Sequence, residues 1–420
     1  MENPSPVVID PTGTDIHAEN SRIRALGPVA RVELPGGVSA WSVNGYEAGK
    51  QELSDQRFSK DARQHWTAFT NGEIDPDFPL IGWALMENLT TTYGNAHSRL
   101  RRLVSKAFTP RRVEAMRPAI AKTVASLLDG LAGATDAVDL KARFAHPLAS
   151  GVICDLIGIP AGARATILRG GEAQVDTTMT EEEIAASVAE VLREMGALVE
   201  GKRQTPGDDL TTDLLAAQEE DGSRLSDPEM IGTLLLLLGT GTEPVTNLVT
   251  NAIFALLSSP RHLELIRTGR ASWHDAIEET LRADPPVAHL PFRFAVEDVE
   301  IGEVTVRAGE PMLMNFAAIG RDPARHGASA GSFDIVRPDK EHLSFGHGIY
   351  RCIGMPLGWL ETETAVSAIF ERFPDMVLAL PPAEVKPQST FIMNGRRELP
   401  VYLHNSTDRL TEGNSDARAR

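Results

Sequence analysis

Apolar positions alternate near the start of the chain and recur at helical spacing through most of its middle. Val29-Ala30-Arg31-Val32-Glu33-Leu34 and Ala40-Trp41-Ser42-Val43 predict two strands around the turn Pro35-Gly36-Gly37. From 96 to 131 the period is helical, and Thr109-Pro110 marks the start of a second helix within it. Helical spacing returns over 140–157, 181–202, 210–219 and 227–257. A further helix over 272–283 is closed by Pro285-Pro286. Short strands are predicted at 299–301, 304–306 and 311–315. No repeat or low-complexity linker divides this pattern. It predicts one mainly α domain with small β-sheets (α+β) over 11–404. The polar, small-residue ends 1–10 and 405–420 are expected to be flexible.

Composition narrows the function classes. A net charge of −17 over 420 residues argues against nucleic acid as a partner. The apolar runs at 234–238 and 252–257 are far too short to span a membrane. Met1-Glu2-Asn3-Pro4-Ser5-Pro6 has neither the basic region nor the apolar core of a signal peptide. With only Cys154 and Cys352 no disulfide framework exists, so a reducing compartment, the cytoplasm, is expected.

One of those cysteines sits in a glycine-rich loop that runs into a helix: Phe345-Gly346-His347-Gly348-Ile349-Tyr350-Arg351-Cys352-Ile353-Gly354. Amide N–H groups aimed at sulfur would keep a thiolate ionised, and Gly346 and Gly348 let the backbone turn tightly around it. Gly354 leaves room for something flat beside the helix start. The pattern Phe-Gly-x-Gly-x-x-x-Cys-x-Gly resembles the haem-binding loop of the cytochrome P450 family. The resemblance implies a triangular helical prism around haem b (iron protoporphyrin IX), with Cys352 as the metal ligand. Phe345, Gly346 and Gly354 would belong to the cofactor seat.

Further motifs extend the resemblance. Glu279-Thr280-Leu281-Arg282 places Glu279 and Arg282 on one helix face. In the family this pair joins a later arginine in a structural core, here Arg325 or Arg337. His97 and Arg101, at i and i+4, and Arg293 match the residues that hold the haem propionates. Tyr350 stands where the family usually has a histidine; its phenol could donate to a propionate but carries no positive charge. In Gly239-Thr240-Gly241-Thr242-Glu243-Pro244, Glu243 matches the acid that relays protons to bound oxygen. Pro244 replaces the adjoining alcohol and should kink the helix, leaving Thr240 to hold a water one turn back.

The resemblance also implies a substrate pocket. Its expected lining is Trp83, Met86, Leu89, Leu236, Gly239, Val287, His289 and Ile392, with Trp66, Phe69 and Phe78 in the same aromatic-rich lid. The expected activity is hydroxylation or epoxidation of a bulky hydrophobic steroid, macrolide or other secondary metabolite by a monomer. Two alternatives are a coupling enzyme that joins aromatic units, such as tryptophan-containing cyclic dipeptides, and a haem sensor. Electrons are expected from a separate ferredoxin and its reductase. Arg99, Arg102, Lys106, Arg111 and Arg112 form a basic cluster expected to attract that acidic partner.

Overall fold

The computed structural model describes residues 6–85, 87–173, 181–219 and 222–404. Met86 and the tail 405–420 lie outside the described residues.

The organising element is the 32-residue helix Asp227–Ser258. Ser226 and Glu229 form a reciprocal capping box at its start, with Pro228 in the first turn, where a missing N–H costs nothing. The helices His146–Ile157, Trp273–Ala283 and Met355–Arg372 pack against it. Gly241 permits close packing on His146–Ile157, since a Cβ there would lie 2.8 Å from Ile153 Cδ1. Leu103, Ile120, Phe144, Leu234, Ile253 and Phe373 belong to the buried core of this helical half.

The other half is a six-stranded sheet. Its order is Val7–Val8, Val29–Leu34, Val38–Val43, Pro311–Asn315, His289–Ala295 and Phe58–Ser59. The first pair and the Val38–Val43/Pro311–Asn315 pair are parallel, the others antiparallel. Trp66 is fully buried beneath it, with ring centroids 5.4 Å from Phe292, 5.5 Å from Phe294 and 5.9 Å from Phe78.

Most predicted elements appear, with informative departures. The stretch 96–131 is three helices, Gly94–Ala107, Pro110–Ala115 and Arg117–Leu131, with Pro118 opening the last. The helix expected from 140 begins as a π-turn, Lys141–Ala145, before His146–Ile157. Pro147 has no N–H for the carbonyl of Arg143 four residues back, and the wider turn accommodates that loss. Helices Ile16–Arg24 and Tyr46–Ser54 interrupt the start that reads as β-rich. The ordered sheet also begins before residue 11: Val7 and Val8 pair with Val32 and Glu33, and Ile9 is fully buried. Among the described residues no helix is long and apolar enough to cross a membrane.

Candidate active site

The cysteine loop is held by its own backbone. Cys352 N donates to the Phe345 carbonyl at 2.8 Å and Gly346 N to Leu343 at 2.7 Å. Gly346 and Gly348 have φ of +69° and +67°, the left-handed region that favours glycine. Gly348 also presses on the end of the helix Tyr46–Ser54, where a Cβ would lie 2.5 Å from the Leu53 carbonyl. Cys352 Sγ is reachable by solvent, yet enough protein surrounds it for burial to push the thiol pKa up. Opposing this are the backbone amides of Gly354 and Met355 and the positive charges of Arg101 and Arg351. Two amides and a guanidinium directed at one sulfur suit a thiolate that ligates a metal through its free side. Cys154, by contrast, is fully buried, and burial raises its thiol pKa.

Beside the loop the structure gathers His97, Arg101, Arg293 and Tyr350. His97 is buried, and its ring lies 4.1 Å from that of Tyr350. Burial, then Arg101, Arg293 and Lys60, hold its pKa down to about 4, so it is neutral. Its Nε2 has no hydrogen-bond partner among the described residues. Arg101 donates to the Arg351 carbonyl at 2.6 Å, tying the helix Gly94–Ala107 to the cysteine loop. The Arg293 guanidinium lies 4.8 Å from the centre of the Tyr350 ring. An orphaned imidazole nitrogen among excess cations fits carboxylates such as those of haem. Tyr350 departs from the role expected of it. Its hydroxyl donates to the Thr92 carbonyl at 2.7 Å, so the residue packs between His97 and Arg293 rather than offering a free donor.

Two acids near these groups escape sequence reading. Glu52 is fully buried, with Oε1 3.3 Å from Arg293 Nε. Glu361, on the helix after the cysteine, is also buried, and burial pushes its carboxyl pKa well up.

Glu279 and Arg282 form the expected pair, fully buried. Arg282 Nε and Nη2 each meet a Glu279 oxygen at 2.7 Å, and Nη1 donates to Gly320 and Ala330 at 2.5 and 2.8 Å. The third member is Arg337, whose Nε is 3.5 Å from Glu279. Arg325 instead pairs with Asp339 and Glu341 in a partly exposed setting. Burial separates the two arginines.

On the long helix, Gly239 and Thr240 are exposed although neighbouring turns are core. The helix continues through Pro244 without a break. Thr240 Oγ1 donates to the Leu236 carbonyl at 2.7 Å, so toward water it can act as acceptor. Glu243 accepts from Gln388 Nε2 at 3.3 Å, and Lys141 Nζ meets Gln388 Oε1 at 3.2 Å. Gln388 and Lys141, unmarked by any motif, therefore orient the acid. Buried Thr246 Oγ1 and both polar atoms of Asn247 lack partners among the described residues.

The residues expected to line the pocket fall in different settings. Leu89 is buried in the helical core, Leu236 packs half-buried against that core, and Trp83 is 43 % exposed. Trp66 and Phe78 are sheet core rather than lid, because the aromatic stack claims them. Val287, His289 and Ile392 do come together: Val287 bridges Met393, and Ala288 N donates to Ile392 at 2.8 Å. His289 Nδ1 is 2.7 Å from the Phe391 carbonyl, while Nε2 has no partner among the described residues.

The basic cluster is not free charge. Arg102 and Lys106 pair with Glu219 at 2.6 and 3.2 Å, Arg99 pairs with Glu229, and Arg112 with Asp208 and Asp213. Acids from 208–229, distant in sequence, neutralise the field that spacing alone suggests.

Comparison with known proteins agrees with this geometry. A family profile described as Cytochrome P450 matches residues 274–394. The chain is 48% identical to 2-hydroxy-5-methyl-1-naphthoate 7-hydroxylase of Streptomyces carzinostaticus, covering 95% of this chain and 97% of that protein. It is 37% identical to the monooxygenase PikC of Streptomyces venezuelae, covering 94% of each. Among solved structures, CYP154A1 from Streptomyces coelicolor superposes with a TM-score of 0.87 at 43% identity, covering 95% and 100% of the two chains. Testosterone-bound CYP154C4 from a Streptomyces species gives 0.90 at 38%, covering 95% and 98%. The chain belongs to the cytochrome P450 family and binds haem through a cysteine thiolate.

Proposed function

We propose that this P450 hydroxylates a rigid, ring-containing and largely apolar secondary metabolite, a fused-ring aromatic acid or a steroid. The observation that carries the reading is the 48% identity over nearly the whole chain to an enzyme named for a naphthoate substrate. The testosterone-bound neighbour supports the wider ring class.

Bound haem supplies the oxygen activation; the chain's own residues hold, orient and move protons. The amides of Gly354 and Met355 and the charges of Arg101 and Arg351 favour the thiolate against the burial that raises the Cys352 pKa, and bound iron would hold the sulfur in that form. His97, Arg101 and Arg293 hold the propionates. Glu243, steadied by Gln388, carries the proton toward the oxygen side, and Thr240 Oγ1 accepts from a water there. Pro244 contributes no hydroxyl to that relay.

Electrons come from a separate ferredoxin. Its docking face is the groove of about 510 Å³ behind the cysteine loop, where Arg351 and His347 lie beside Lys340 and His342, which pair with Asp275 and Glu278. Two free thiols suit a reducing cytoplasm.

The test is a panel of naphthoates, steroids and macrolides. A substrate is identified by the low-spin to high-spin spectral shift and a product heavier by one oxygen. Binding by macrolides alone defeats the substrate reading, and products joined without added oxygen favour the coupling alternative.

A further inference from the structure

Lys60 follows the two-residue strand Phe58–Ser59, which pairs antiparallel with Ala295 and Phe294. Extending that register by one residue sets Lys60 opposite Arg293. Like charges facing each other across strands destabilise a sheet, and burial makes this worse. Both are buried, Lys60 at 8% and Arg293 at 4% exposure. The Lys60 ammonium makes no hydrogen bond or ion pair among the described residues, and the charge of Arg293 bears on it. Lys60, Arg293 and Arg101 all bear on His97, and Tyr350 Oη lies beside the Lys60 backbone.

Among the described residues the buried acid facing this group is Glu52, close to Arg293. Its contact lacks hydrogen-bond geometry, and neither of its oxygens has another partner among the described residues. Burial raises the Glu52 pKa while Arg293 and then Lys60 pull it back. With His97 neutral, Lys60 and Arg293 share the single buried carboxyl of Glu52, while Arg101 also faces Cys352 Sγ. The cluster therefore carries excess positive charge of the kind that added carboxylates neutralise.

We propose that Lys60 is a third cationic contact of the haem propionates, with Glu52 as the buried counter-charge that positions Arg293. The proposal rests on the assignment of His97, Arg101 and Arg293 to the propionates. Burial of an ammonium among cations is explained once an anion sits among them; the isolated amine has its pKa pulled down to about 7, by burial first and Arg293 second.

The test follows haem transfer from the holoenzyme to excess apomyoglobin, together with the reduction potential. Lys60→Met is expected to shed haem about tenfold faster than wild type, as loss of one charge-assisted contact implies. Its potential should move to more negative values, because a positive charge near the iron has gone. Lys60→Arg keeps the charge and should restore slow release and the wild-type potential. If Lys60→Met keeps haem as long as wild type while Arg293→Met sheds it quickly, the proposal fails and the propionate assignment stands. If neither variant sheds haem faster, that assignment fails with it. If Lys60→Arg releases haem as fast as Lys60→Met, charge is not the cause and the proposal is overturned.

Discussion

Two clusters of buried charge, Glu279–Arg282–Arg337 and Glu52–Lys60–Arg293–His97, are built on opposite terms. In the Glu279–Arg282–Arg337 core, Arg282 meets both carboxylate oxygens and three backbone carbonyls, and Asp334 N donates to the same acid at 2.7 Å. In the Glu52–Lys60–Arg293–His97 cluster, burial is as deep but an imidazole nitrogen and both oxygens of a carboxyl are left without hydrogen bonds among the described residues. The first cluster satisfies its polar atoms apart from Arg337 Nε and holds the fold. The second, with unsatisfied groups and excess positive charge, fits an anionic ligand.

The contrast is tested first where it predicts the greatest damage. Arg282→Met strands a buried carboxylate and should cost on the order of 3–5 kcal/mol of stability, read from denaturant unfolding of the holoenzyme. A loss below about 1 kcal/mol, the range of exposed pairs, would remove the distinction. Arg293→Met should leave global unfolding far less affected and instead speed haem release roughly ten- to a hundredfold, as loss of one or two charged hydrogen bonds implies. Equal damage to both properties would merge the two clusters.

The smallest effect concerns pH. Burial holds His289 neutral down to about 4, whereas the unfolded chain binds its proton near the ordinary value of 6.5. Unfolded molecules therefore take up more protons between those values, and stability is lost as pH falls from 6.5 toward 4. Above 6.5 the contribution is complete. The slope from this one group is about 1.4 kcal/mol per pH unit at most. Wild type minus His289→Gln isolates it; a flat difference across that window would show that His289 does not titrate as its surroundings dictate.

Long periodic segments were readable from the chain. The helix at 227–258 announces itself by Ser226, Pro228 and thirty residues of apolar rhythm, and the short strands after 299 fall where alternation puts them. Helices Ile16–Arg24 and Tyr46–Ser54 have weak apolar faces against a polar average, so pattern alone passes over them. The site divides in the same way. Cys352, Glu279, Arg282 and His97 sit in spaced motifs. Lys60 and Glu52 do not, because their meaning arises from a two-residue strand and a helix end meeting Arg293 in space. The choice between Arg337 and Arg325 likewise needed burial, and the basic helix looked unpaired only because its acids lie a hundred residues away.

The helix Tyr46–Ser54 puts Leu53 against Gly348 and Glu52 against Arg293. Adjacent residues thus serve as the gauge for both the sulfur loop and the propionate seat. Any change that shifts this helix end moves both contacts at once, so the setting of the sulfur loop and the setting of Arg293 are mechanically linked. Variation in what the enzyme oxidises has to be sought elsewhere, in segments that do not share that gauge.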